Sequence, residues 1–148
     1  MVAIVQREPK GRPAIVYGKP CSQREILHEL YVTDFSRIYR DWDYSREARV
    51  GETMADALMT KDNQCALLEL DCSGKLTKKQ YEQKWESYRR CRSRLLVIAM
   101  NEPRMQRIRS WSKAVRNIAL FTTFERLLAD ENEVAERWVV CAVNSTQI

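Results

Sequence analysis

Glycine and proline are scarce in this chain, four of each in 148 residues, which argues against long irregular loops. There is a single histidine, His28. A Cys–His catalytic pair would have to use it, and neither an H-E-x-x-H run nor a glycine-rich phosphate loop is present. No apolar run approaches the length of a membrane span. The first seven residues, Met1–Arg7, do not read as a signal peptide, because a charge follows a very short apolar stretch. The expected compartment is therefore the cytoplasm or nucleus, not the secreted space. Five cysteines, an odd and widely spaced set, argue against a disulfide framework and for reduced thiols. The sequon Asn144-Ser145-Thr146 is then taken as incidental. No catalytic residue, metal site or cofactor is expected.

What the chain does have is an uneven charge. Its net +5 is not spread along the sequence. Residues 1–83 are neutral, 84–116 carry net +8, and 117–148 carry net −3. Such asymmetry points to a polyanionic partner, either nucleic acid or an acidic protein surface. An alternative is a solvated basic face paired with the acidic segment 125–136.

Length predicts a single domain, 21–148, preceded by an arm at 1–20. Within that arm Val2–Val5 and Ala14–Tyr17 are short β-branched runs separated by Glu8–Pro13, which predicts a hairpin or an extended arm. Ser22–Glu25 has the pattern of a capping box, followed by two helices at 23–31 and 34–42. Ser45 opens a further helical pattern carrying Val50, Met54 and Leu58. A turn is expected at Thr60–Gln64, then a short apolar piece at Cys65–Leu70. Thr77–Gln80 is a second capping box. The helix behind it shows Tyr81, Trp85, Tyr88, Leu95 and Ala99 on one stripe and is expected to run to Asn101. Asn101, with Pro103 in the first turn, starts another helix, whose far end, Leu120–Leu128, is apolar nearly all round and expected to be central to the core. The last segment, Val134–Val143, fits helix or strand. The expected fold class is mostly α, a small helical bundle with a short N-terminal hairpin or arm.

The candidate contact residues follow from that frame. On a continuous helix Arg109, Lys113 and Arg116 fall within about 60° of one another. Arginines match phosphate in a two-pronged way, and each phosphate contact releases counterions. Arg89, Arg90 and Arg94 are expected to face solvent beside that row. Arg92 falls inside the apolar stripe, where a charge is paired, marks an interface or snorkels out.

Three segments resemble known units. Arg24–Trp42 resembles a DNA-binding helix-turn-helix, which implies Thr33 as the cap of the second helix and Ser36, Arg37 and Arg40 as base readers. It departs from that pattern at Tyr31, where glycine is usual, and at Ile38. Lys10–Pro13 resembles the core of a minor-groove AT-hook. Glu69–Gln80 is similar to an EF-hand loop, but Gln80 stands where a bidentate carboxylate belongs, so calcium binding is not expected. Cys21/His28 and Cys65/Cys72 lack the spacing of a zinc site. Ser145–Ile148 fits a minimal carboxylate-capture pattern.

The expected function is thus a small non-enzymatic, regulatory nucleic-acid-binding protein without a membrane role, with self-association into a homo-oligomer left open. The rival is a protein-interaction module or inhibitor anchored by some of the four tryptophans and six tyrosines.

Overall fold

The structure is a computed structural model that describes residues 2–5, 14–17, 23–72, 75–129 and 137–140. Strands β1 (Val2–Val5) and β2 (Ala14–Tyr17) pair antiparallel, as the β-branched runs predict. Helix α1 (Gln23–Ile38) follows, then β3 (Asp43–Val50), β4 (Thr53–Lys61) and β5 (Gln64–Asp71). Helix α2 (Lys78–Tyr88) leads to β6 (Arg94–Ala99), and α3 (Glu102–Ser110) leads through a single 3-10 turn at Lys113–Val115 to β7 (Ala119–Thr123). A short α4 (Phe124–Leu128) and a two-residue β8 (Val139–Val140) complete the described elements.

Strands β3 to β8 form one six-stranded sheet in sequential order. The β3–β4–β5 half is antiparallel, joined by two-residue turns at Gly51-Glu52 and Asp62-Asn63. Gly51 adopts a φ of 59°, which glycine does without steric cost. From β5 through β7 the pairing is parallel. Parallel neighbours need crossovers, and α2 and α3 supply them. Both pack on one face with Leu67, Leu95, Val97 and Phe121. Helix α1 covers the other face through Val32 and Phe35, against Met59, Leu68 and Ile98. The ring of Tyr31 stacks on Phe124 of α4 at 4.8 Å.

The expected helical bundle is therefore wrong: this is a mixed-sheet α/β fold. The misreadings have local causes. Val50, Met54 and Leu58 give segment 45–58 a helical period, but the buried positions of β4 are Ala55, Ala57 and Met59. That period of two is carried by alanines, which a hydrophobic scan underweights. The stripe from Tyr81 is real only to Tyr88. Leu95–Ala99 belongs to β6, whose sides contact both helical layers, so its run is apolar throughout. The same reason turns the start of the expected 120–128 helix into β7. Helix α1 is unbroken where two helices were expected, and Thr33 lies within it, its hydroxyl donating to the Glu29 carbonyl at 2.8 Å.

The caps were legible. Thr77 and Gln80 form a reciprocal capping box, and the Asn101 side chain accepts from the Arg104 N–H at 3.0 Å. The expected box at Ser22 lies outside the described residues. Edge strand β3 is mostly exposed and carries Arg46, Glu47 and Arg49, charges that discourage edge-to-edge pairing.

Phe121→Ala is expected to lower stability by about 3–5 kcal/mol, as a cavity at a fully buried ring. Thr77→Ala is expected to lower it by about 1 kcal/mol through loss of the cap. Urea denaturation of both variants measures these losses; equal losses would show that the ring is not where the core is densest.

Candidate functional site

Parallel strands bring their N-terminal ends to the same side of a sheet. Leu95 pairs with Ala119, and the Leu95 N–H donates to the Ile118 carbonyl at 2.9 Å. The segment entering β6 (89–93) and the one entering β7 (113–118) therefore lie side by side. Arg94 joins them directly, its guanidinium donating to the Asn117 carbonyl at 3.5 Å. Arg89, Arg90, Arg92, Arg94, Lys113 and Arg116 are all exposed at this end. Arg89 pairs with Glu86 at 2.9 Å. Among the described residues no carboxylate forms an ion pair with the other five.

Between α2 and the 3-10 turn runs a groove of about 640 Å3, whose lining includes Glu82, Glu86, Arg89, Trp111, Lys113 and Arg116. Glu82 and Glu86 of α2 and Arg89, the residue that caps it, recur at i, i+4 and i+7, on one side of the helix.

Five expected contact residues thus converge here: Arg89, Arg90, Arg94, Lys113 and Arg116. Arg92, which a longer helix would have put in the apolar stripe, joins them because α2 stops at Tyr88. The others do not. The expected row of Arg109, Lys113 and Arg116 is broken because α3 ends at Ser110, where buried Ser112 donates its hydroxyl to the Ile108 carbonyl at 2.6 Å. Arg109 instead donates to the Val140 carbonyl at 2.9 Å and to Gln106. Arg37 and Arg40 stand at the end of α1, on the opposite face of the sheet, where Arg37 approaches Asp34 at 3.7 Å.

A second charged group lies inside the molecule and was not anticipated. Glu69 and Asp71 alternate on β5 toward the α2/α3 face, 4% exposed each. Glu69 accepts from the Lys84 ammonium and the Tyr88 hydroxyl of α2. Asp71 pairs with Arg104 of α3, whose guanidinium also donates to the Leu76 carbonyl at 2.8 Å and lies over the rings of Tyr81 and Trp111. On β4, Asp56 accepts from the Leu70 N–H at 2.6 Å and from His28 of α1 at 2.9 Å. The sequence signal is Glu69-x-Asp71 in a leucine-rich run, the same carboxylates that carry the EF-hand likeness. The structure gives those carboxylates to different helices, and Gln80 to the Thr77 cap. Cys65 and Cys72 sit at opposite ends of β5, roughly 20 Å apart, too far to share an ion. Among the described residues no three His, Cys, Asp or Glu side chains gather as a metal site. Cys21, the AT-hook-like run and the C-terminal pattern lie outside the described residues.

Burial raises the Glu69 carboxyl to about 7 against the pull of Lys84. The hydrogen bond to Asp56 raises His28 above 6.5, against its partial burial. Burial, then the Glu69 charge, pushes the Tyr88 hydroxyl well up. The arrangement can hold a proton between Glu69 and its partners, but its surroundings are packed side chains rather than an open cleft.

Glu69 and His28 act on stability with the same sign. Each holds its proton more tightly folded than unfolded, so each stabilises the fold below its unfolded value and loses that contribution as pH rises through the folded one. Their contribution should decline between the ordinary carboxylate value of 4.5 and about 7 for Glu69, and above 6.5 for His28. Urea unfolding across this range should show a smaller slope in Glu69→Gln than in the parent chain; an unchanged slope would deny the shift. Arg104→Ala, which removes the cation held against buried Asp71, should cost about 3–5 kcal/mol. Arg104→Ala/Asp71→Asn should recover part of that loss.

Comparison with family models and with curated proteins finds no match to this chain.

Proposed function

We propose that this protein binds nucleic acid through its phosphate backbone, at the end of the sheet where the loops entering β6 and β7 meet, and that it acts by binding rather than by catalysis. The observation that carries this reading is the convergence of six exposed cations from two loops, five of them without an ion-pair partner among the described residues. Isolated surface cations are common, but a cluster repels itself and gains by meeting a polyanion. Five of the six are arginines, which favours phosphate over a diffuse acidic surface. The rival reading, a protein-interaction module, keeps few anchors: of the tyrosines, tryptophans and phenylalanines whose exposure is described, all are buried or half-buried, and Trp111 is the one that lines this groove. Among the described residues no helix is long and apolar enough to cross a membrane.

Fluorescence anisotropy with labelled DNA and RNA at two salt concentrations tests the proposal. Binding should weaken steeply with salt, with a slope near −0.7 to −0.9 per phosphate contact. Arg90→Glu/Arg92→Glu/Lys113→Glu should abolish it, whereas Arg37→Glu/Arg40→Glu on the other face should leave it close to the parent value. Salt-insensitive binding, or an equal loss in both variants, would sink the assignment.

A further inference from the structure

The groove beside the basic end is not uniformly positive, and its asymmetry bears on which form of nucleic acid it accepts. We infer that it seats an unpaired base, so that the protein prefers single-stranded nucleic acid to duplex. This rests on the nucleic-acid reading above and deepens it.

The two walls differ in charge. The α2 wall carries Glu82 and Glu86, and the opposite wall carries Lys113 and Arg116. Arg89 offsets Glu86 at 2.9 Å, and Lys78 approaches Glu82 at 3.7 Å, yet both carboxylates remain exposed to the groove. Trp111, at the end of α3, lies between the walls. Its ring is held from within by Tyr81, at 6.1 Å between centroids, and by the Arg104 guanidinium at 5.6 Å. It is thus an aromatic surface already fixed before any ligand arrives, so little conformational freedom is lost on contact.

A rigid duplex presents phosphates along both sides of whatever face it offers. Pressed into this groove, one of those rows would meet Glu82 and Glu86. A single strand can separate its parts. Its phosphates can follow Lys113, Arg116 and the cations of the 89–94 loop, while a splayed base enters the groove against Trp111. Base-on-aromatic stacking accepts any base. The carboxylates add a preference, because they accept hydrogen bonds from exocyclic amino groups such as N4 of cytosine, both of whose hydrogens are free in an unpaired base, whereas a duplex holds one of them in pairing. The volume, about 640 Å3, lies within the usual range for small-ligand sites, about 300–1,000 Å3.

The test uses the full chain and fluorescein-labelled oligo-dC, oligo-dT and a mixed duplex of equal length, by anisotropy at fixed salt. Oligo-dC is expected to bind about tenfold tighter than duplex, and several-fold tighter than oligo-dT. Glu82→Ala/Glu86→Ala, at two exposed positions, should strengthen duplex binding and erase the dC-over-dT preference. Duplex binding equal to or tighter than single strand in the parent chain overturns this inference and leaves backbone binding standing. An unchanged single-strand to duplex ratio in the double variant also overturns it. If neither form binds, the nucleic-acid reading falls with it.

Discussion

Two carboxylates on one interior strand, Glu69 and Asp71, are each answered by a cation from a crossing helix, Lys84 from α2 and Arg104 from α3. A carboxylate taken out of water is tolerated only if paired and hydrogen-bonded. These pairs therefore select one placement of each helix over the sheet, where apolar contacts alone would tolerate small shifts. Tyr88 adds a hydrogen bond to Glu69, Tyr81 one to Asp71, and the Leu76 carbonyl accepts from Arg104. On the other face His28 and Asp56 make the same kind of link between α1 and the point where β4 and β5 meet. Each of the three larger helices is thus keyed to the sheet by charge as well as by packing.

The outer surface depends on that keying. Where α2 ends sets where Arg89–Arg94 emerge, and where α3 ends sets where Lys113 and Arg116 emerge. Because β6 and β7 run parallel, both exits fall at one end of the sheet. Apart from Arg107 and Arg109 on α3, the cations of the 84–116 segment then separate into two populations. Lys84 and Arg104 are consumed by interior carboxylates, while the cations of the two loops stay in water together. The separation follows from burial: an interior arginine has an interior partner, and an arginine in a loop need not.

Much of the local structure was legible in the residues. The capping box at Thr77, the Asn101 cap with Pro103, the turn at 60–64 and the N-terminal hairpin were all readable, because each depends on neighbours within a few positions. The mixed sheet was not. Leu95–Ala99 has no period, since its residues are covered on both sides, and nothing in such a run distinguishes a buried strand from the continuation of the helix before it. No glycine or proline marks the boundary at Arg89–Ser93. The alternation in β4 was hidden by small side chains at Ala55 and Ala57. Of the expected contact residues, those in the two loops came together for a reason other than the one first given: strand direction rather than a shared helix face.

The sequence by itself determined where α2 and α3 begin, that positive charge concentrates in one stretch, and that the chemistry of a phosphate contact is available, because composition and capping are local properties. Tertiary structure alone decided which arginines face inward, which meet at one end, and that Glu69 and Asp71 are held by different helices. Those outcomes depend on which strands lie beside each other, and neighbouring strands are set by crossovers that join residues far apart in the chain.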